Sequence, residues 1–225
     1  MKKRLTFLII LSVFSMLKSQ IQNNSYKLAT FSIFTPTFSL APSYTFGYMQ
    51  SLNERFGIGC EIGYGDYATS FGLAKDGNDY IYKNYKYYKI STELFYNLKK
   101  SGKIQNLLSG EIYYINHSDV RENSNFITED EKGFSFYSAD YKRIKFGFNL
   151  NYNILWYFTP HFILMPKIGF GLKLKSVSDS NISGLESAEY PDYGFIVDNT
   201  HLILNKEGSN TNVNLNFDLK FVYKF

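Results

Sequence analysis

His117, Ser118 and Asp119 stand side by side and carry the three side-chain types of a hydrolytic triad. Adjacency works against that chemistry. Triad members come from separate segments that meet in space, and on an extended strand residues 117 and 119 face one side and 118 the other. The expectation is a polar strand end entering a loop, with a lipid-modifying hydrolase as a weaker alternative. His161 and His201 lie in other segments, and there is no HxxxH or CxxC spacing to hold a metal. No GxSxG or phosphate-cradling GxGxxG occurs; Gly57-Ile58-Gly59 and Gly169-Phe170-Gly171 read instead as glycines that make room for bulky neighbours. No cofactor is implied. A second set of charged residues alternates with apolar neighbours: Glu61, Glu93, Arg143, Lys145, Lys167, Lys173, Asp218 and Lys220. Glu111 joins them if segment 104–117 turns its odd positions the same way. Charges of both signs on one wet face must pair if that face is enclosed, because an isolated buried charge is very costly.

The elements that carry these residues are strands of one pattern. From Thr211 to Phe225 the odd positions are Thr211, Val213, Leu215, Phe217, Leu219, Phe221, Tyr223 and Phe225, while the even positions, apart from Val222, are Asn, Asp or Lys. A period of two gives one apolar and one polar face. The same alternation runs through 38–50 (Phe38, Leu40, Tyr44, Phe46, Tyr48), 55–67 (Phe56, Ile58, Cys60, Ile62, Tyr64) and 84–98 (Tyr88, Ile90, Leu94, Tyr96, Leu98). It returns in 142–158 (Ile144, Phe146, Phe148, Leu150, Tyr152, Ile154, Trp156) and 161–176 (Phe162, Leu164, Ile168, Phe170, Leu172, Leu174). Segment 104–117 is strand-like with a poorer phase, and 26–34 completes the set. Apolar-out, polar-in alternation on every strand is what a membrane-spanning barrel requires. Open sheets cannot satisfy their edge amides in lipid. A soluble secreted sandwich, in which the apolar faces would pack on one another, stays open on periodicity alone.

Connection lengths set the topology. Residues 51–54, 99–103 and 159–160 are short; 69–82, 118–138 and 178–209 are long, and the two classes alternate along the chain. With Thr35–Thr37 as a tight turn after the first strand, this gives an all-β, up-and-down antiparallel transmembrane barrel of eight strands, with short periplasmic turns and long outer loops. Ten strands stay open, because 178–209 is long enough to hide two; Gly194–Leu204 is expected to extend a hairpin in that loop. Tyr48, Tyr96, Trp156, Tyr157, Tyr223 and Phe225 fall near the periplasmic ends, and Tyr64, Tyr85, Tyr87 and Tyr141 near the outer ends, as two interfacial belts. The aromatic strand end Phe221, Tyr223 and Phe225 is expected to serve as the signal read by the barrel assembly machinery.

Composition agrees. The chain has 24 Lys and Arg against 20 Asp and Glu, but Lys2, Lys3, Arg4 and Lys18 lie in a stretch, residues 1–19, that holds no acid. Lys2–Arg4, the apolar run Leu5–Leu17 and small Ser19 have the layout of a secretory signal peptide cleaved before Gln20, leaving 20–225 as one domain that is formally neutral. That balance gives no support to nucleic-acid binding, which wants a basic stripe. One cysteine, Cys60, allows no internal disulfide; in phase with Phe56, Ile58 and Ile62 it is expected to be buried or lipid-facing.

The run Leu40–Tyr67 (LAPSYTFGYMQSLNERFGIGCEIGYGDY) resembles the opening hairpin of small outer-membrane β-barrel proteins of the Bacteroidota type, and Phe146–Lys173 (FGFNLNYNILWYFTPHFILMPKIGFGLK) is similar to a later hairpin of that group. The resemblance implies fold and place, the cell outer membrane of a Gram-negative bacterium, and no particular reaction. An eight-stranded barrel is just wide enough for side chains to fill. The reading is therefore a monomeric scaffold in contact with outer-membrane lipids and lipopolysaccharide, its lumen plugged by the charge network; a narrow pore for ions or small solutes is the alternative. The acidic loops 118–138 and 178–209 are candidates for adhesion or cation-bridged contact with lipopolysaccharide.

Overall fold

The structure is a computed structural model that describes residues 26–38, 41–69, 84–128, 130, 132–187 and 206–225. The signal-peptide segment and the Gly194–Leu204 hairpin lie outside the described residues, as does His201.

Eight long strands close on themselves. They are β1 (Lys27–Ser32), β2 (Tyr44–Ser51), β3 (Phe56–Asp66), β4 (Lys86–Ser101), β5 (Ile104–Ile127), β6 (Gly133–Tyr157), β7 (Phe162–Ser183) and β9 (Gly208–Lys224). A two-residue strand, β8 (Glu186–Ser187), pairs with the outer end of β6 at Phe134 and Ser135. Each long strand pairs antiparallel with its neighbour in sequence, and β9 pairs with both β7 and β1. The ring therefore has no free edge, which removes the unpaired amides of an open sheet.

The register sets the barrel's shape. Cross-strand partners lead from Thr30 through Gly47, Glu61, Ser91, Tyr113, Gly147, Lys173 and Asn212. The β1–β9 pairing, in which Leu28 meets Lys224 and Ser32 meets Lys220, would oppose Asn212 to position 40, ten residues beyond the start. Eight strands with that stagger tilt by roughly 40° from the barrel axis, so each residue advances about 2.5 Å along it.

The phase is uniform. Outward positions include Phe46, Ile62, Leu94, Ile112, Leu150, Phe170 and Leu215, all exposed, with Leu215 at 69%. On β6 the outward run from Phe146 to Trp156 covers about 25 Å of height, the band a membrane barrel needs. Cys60 is exposed in the middle of the band on β3.

The turns between β2 and β3, β4 and β5, and β6 and β7 lie at one end. Asn53 Oδ1 accepts from the amides of Arg55 and Phe56 at 2.9 and 2.8 Å, closing the β2–β3 turn. Gly102, at φ +57°, turns the chain between β4 and β5, where an L side chain would be strained. Thr159 Oγ1 accepts from the amide of Phe162 at 2.9 Å at the β6–β7 turn.

Several expectations need correction. Residues 118–138 are not a loop: β5 runs on to Ile127 and β6 starts at Gly133, so the pair rises on the order of 30 Å beyond the apolar band. The polar surface of this stretch hides its strand character, because outside lipid both faces of a hairpin can carry polar groups. β7 likewise continues to Ser183, so 178–183 is strand and not loop. The first outer connection is a short helix, Phe34–Phe38, and not a tight turn; the strand that follows starts at Tyr44. Tyr85, Tyr87 and Tyr141 do not form an outer belt. They occupy inward positions and are buried, and Tyr157 also turns inward, donating to Gln105 Oε1 at 2.9 Å. The ring counts eight strands among the described residues.

Candidate functional site: the filled lumen

Inward positions stack in layers from the short-turn end. A polar cap comes first: the amides of Asn97 and Gln105 bond to each other at 3.1 Å and hold the phenols of Tyr26 and Tyr157. Above it Leu28, Met49, Phe95, Leu107, Leu155, Ile163, Met165 and Val222 pack into one apolar cluster, none more than 4% exposed. These residues come from seven of the eight strands, so the cluster crosses the lumen from wall to wall.

The next layer is the charge network. Lys167 Nζ lies 2.7 Å from Glu93 Oε2 and 3.3 Å from Glu111 Oε2, with a side chain 1% exposed. Lys89 Nζ bridges Glu61 and Glu111 at 3.5 and 3.4 Å. Lys220 pairs closely with Glu61 and lies 3.5 Å from Asp218. Amides complete it: Asn149, Asn151 and Asn216 each donate to Glu111 Oε2 at 3.1–3.3 Å. Asn151 also donates to Glu93 at 3.1 Å, Ser109 donates to Glu93, and Ser32 donates to Asp218 at 2.6 Å. Alternation places these groups here. Charged and amide residues fall on inward positions of β3, β4, β5, β6, β7 and β9, and burial is tolerated because every carboxylate meets a cation and every cation a carboxylate. Two glycines give the asparagines room. A β-carbon on Gly171 would lie 1.8 Å from the Phe148 carbonyl oxygen, and one on Gly169 would lie 2.5 Å from that of Leu150.

Of the eight charges singled out from the sequence, Glu61, Glu93, Lys167, Asp218 and Lys220 meet in this network. Glu111 joins them, its strand in the required phase. Lys89, on the wet face of its strand but not picked out, is a bridge between two acids. The asparagines at 149, 151, 153, 214 and 216 share the lumen with these charges, and their spacing of two on β6 and β9 is the sequence signal for it. Arg143, Lys145 and Lys173 also turn inward, but they stand apart, nearer the outer end.

That outer layer holds the sequence-adjacent triad types, and it does not assemble them. His117 is buried at 4% exposure between the ring edges of Tyr85 and Tyr141, at centroid distances of 4.9 and 5.2 Å. Neither of its ring nitrogens has a hydrogen-bond partner. Ser118 is on the opposite face of β5, and Asp119 Oδ1 accepts from the amide of Val120 at 2.8 Å. Further out, Arg121 bonds Asp179 at 2.6 Å and stacks over Tyr141, 4.4 Å from its centroid. Burial raises the Asp179 carboxyl above its usual range, and Arg121 works against that shift. Asp119, Arg121 and Asp179, read as loop charges from the sequence, are thus inward strand residues. Beyond them Phe126, Phe136 and Ala139 form a small apolar cluster inside the projecting hairpin.

Chemically, each carboxylate of the network is held by ammonium or amide donors and none is poised as a general base. Among the described residues no three His, Cys, Asp or Glu side chains gather as a metal set. The terminal residues Phe221, Tyr223 and Phe225 point outward and are exposed; Tyr223 meets Phe162 and Phe225 edge-on, at centroid distances of 5.4 and 5.2 Å.

No family model matches the chain, and no curated protein matches its sequence. Among solved structures, a major outer membrane protein from Thermus thermophilus is similar at 12% identity and a TM-score of 0.41, over 89% of this chain and 99% of that one.

Proposed function

We propose that this chain is an integral outer-membrane barrel that conducts no solute and serves as a rigid scaffold for the β5–β6 hairpin it projects outward. One observation carries the reading: the barrel is inside-out. Phe170, Leu172 and Val213 are 60–66% exposed on the outside, while Glu111 and Lys220 are 1% exposed on the inside. In water that exterior would be one continuous apolar patch, far beyond the roughly 300–600 Å² usual for a soluble monomer. In a bilayer it is the required surface. The wall-to-wall apolar cluster at the short-turn end supports the non-conducting part of the reading, and the reach of the hairpin supports the scaffold part.

The test is fractionation with heat modifiability, followed by planar-bilayer recording. The protein is expected in the outer-membrane fraction, to migrate differently before and after boiling, and to give no conductance steps. A soluble location without a gel shift would overturn the membrane reading. Regular steps from the unmodified protein would overturn the scaffold reading in favour of a narrow pore.

A further inference from the structure

The outer half of the lumen differs from the paired network beneath it. Arg143, Lys145 and Lys173 project inward from adjacent strands β6 and β7, with Lys175 beside them. Arg143 and Lys145 are two apart on one face. Lys145 is the cross-strand partner of Lys175, and Lys173 that of Gly147. Such neighbours lie within roughly 5–8 Å at the backbone. Among the described residues, no carboxylate pairs with Arg143, Lys145 or Lys173, although seven close ion pairs exist elsewhere.

Lys173 Nζ reaches only an amide oxygen, Asn214 Oδ1 at 3.5 Å, and other polar groups of the same patch have atoms without a partner. Arg143 is 3% exposed; it bonds the Tyr141 phenol, but its Nε has no partner. The Tyr113 hydroxyl, on a side chain 5% exposed, has none. That hydroxyl lies over Gly147, where a β-carbon would sit 2.5 Å from the oxygen, so it is directed at the strand that carries Lys145. Both nitrogens of His117, the cross-strand partner of Arg143, are also unpartnered. Buried polar groups almost always find partners, and like charges gathered in a low dielectric repel strongly. Single buried atoms without a partner occur elsewhere, as at Thr45 Oγ1 and Asn153 Oδ1. Among the described residues, only on this patch do they coincide with cations that no acid offsets, and one kind of ligand resolves both here: a group with at least two negative charges and several acceptor oxygens.

We propose that Arg143, Lys145 and Lys173, with the Tyr113 hydroxyl and His117, form a binding site for a phosphate group, either free or carried as a phosphomonoester on a lipid. This goes beyond the scaffold reading and holds whether or not the barrel conducts.

The full chain, folded in uncharged detergent, is heated while Trp156 fluorescence reports unfolding. One arm titrates sodium phosphate against sodium chloride at matched ionic strength. A second titrates lysophosphatidic acid against lysophosphatidylcholine. A specific site gives a saturable rise in midpoint. Lys145→Met and Lys173→Met, each checked for folding by its gel shift, should weaken the apparent Kd at least tenfold, and Lys142→Met on the outer face of β6 should leave it unchanged. Saturation by phosphate supports a free ion as ligand; saturation by lysophosphatidic acid alone supports a lipid-borne one. No saturable rise in either arm overturns the proposal. So does a saturable rise that Lys145→Met and Lys173→Met leave unaltered.

Discussion

Replacing Lys167 by methionine keeps much of the side chain's volume and removes the cation at the centre of the network. The two acids it serves would respond differently. Glu111 keeps Lys89 at 3.4 Å and three amide donors. Glu93 loses its close cation, 2.7 Å away, and keeps only the Ser109 hydroxyl and the Asn151 amide. Removing one partner of a buried pair costs about 3–5 kcal/mol, because the charge left behind is uncompensated, and here most of that falls on Glu93. Lys167→Met should therefore lower unfolding stability by about 3 kcal/mol or more. The double variant Glu93→Gln/Lys167→Met, which removes both charges and leaves an amide able to bond Ser109 and Asn151, should recover at least half of the loss. Urea unfolding in lipid vesicles measures both, with the single tryptophan, Trp156, as the probe on the outer wall at 47% exposure. A loss under about 0.5 kcal/mol, the size of an ordinary surface substitution, would refute the reasoning. So would a double variant whose loss is the sum of the two single ones.

Other outcomes follow from the same geometry. Gly171→Ala places a β-carbon against the Phe148 carbonyl and should cost about 1–3 kcal/mol; Gly57→Ala, 3.1 Å from its nearest neighbour, should cost less in the same urea assay. Thinning the apolar cluster by Phe95→Ala with Met165→Ala should produce conductance steps in planar bilayers that the unmodified chain lacks, and silent bilayers would mean that the layers above also seal the lumen. Arg121→Gln removes the cation opposing the burial shift at Asp179. The carboxyl, already raised, then rises further, so its neutral form is favoured in the folded hairpin. Protection of residues 117–127 against hydrogen exchange, corrected for intrinsic rates, should increase in that variant as pH falls from 7.5 to 5, and a flat profile would count against the pairing.

The architecture was legible because lipid imposes one rule on every strand. Phe146, Phe148 and Leu150, like Leu215, Phe217 and Leu219, alternate with polar residues or glycine so regularly that the phase could be read directly, and the turns at Asn53, Gly102 and Thr159 bracket the strands with residues suited to turning. The hairpin above the band was not legible, since the rule lapses outside lipid. Ser118 to Asn125 is polar on both faces apart from Val120, and cross-strand pairing with Lys142 to Ser135, not apolar alternation, makes it a strand. The inward charges could be placed on a face, but not sorted into partners. Pairing depends on register, which alone brings Lys167 of β7 to Glu93 of β4 across the lumen while leaving Lys145 and Lys173 without an acid. Tyr85, Tyr87 and Tyr141 show the same limit: a tyrosine near a strand end suits an interfacial belt or a buried outer layer, and its parity decides which.

The central claim is that lipid meets the outer wall, and Cys60, outward at mid-height on β3 and the chain's single cysteine, tests it without any mutation. A nitroxide attached there, in protein folded into phospholipid vesicles, can be relaxed by oxygen, which concentrates in the bilayer, or by a water-soluble nickel chelate. Relaxation dominated by oxygen is the predicted result. Relaxation dominated by the nickel chelate would place Cys60 in water and contradict the account.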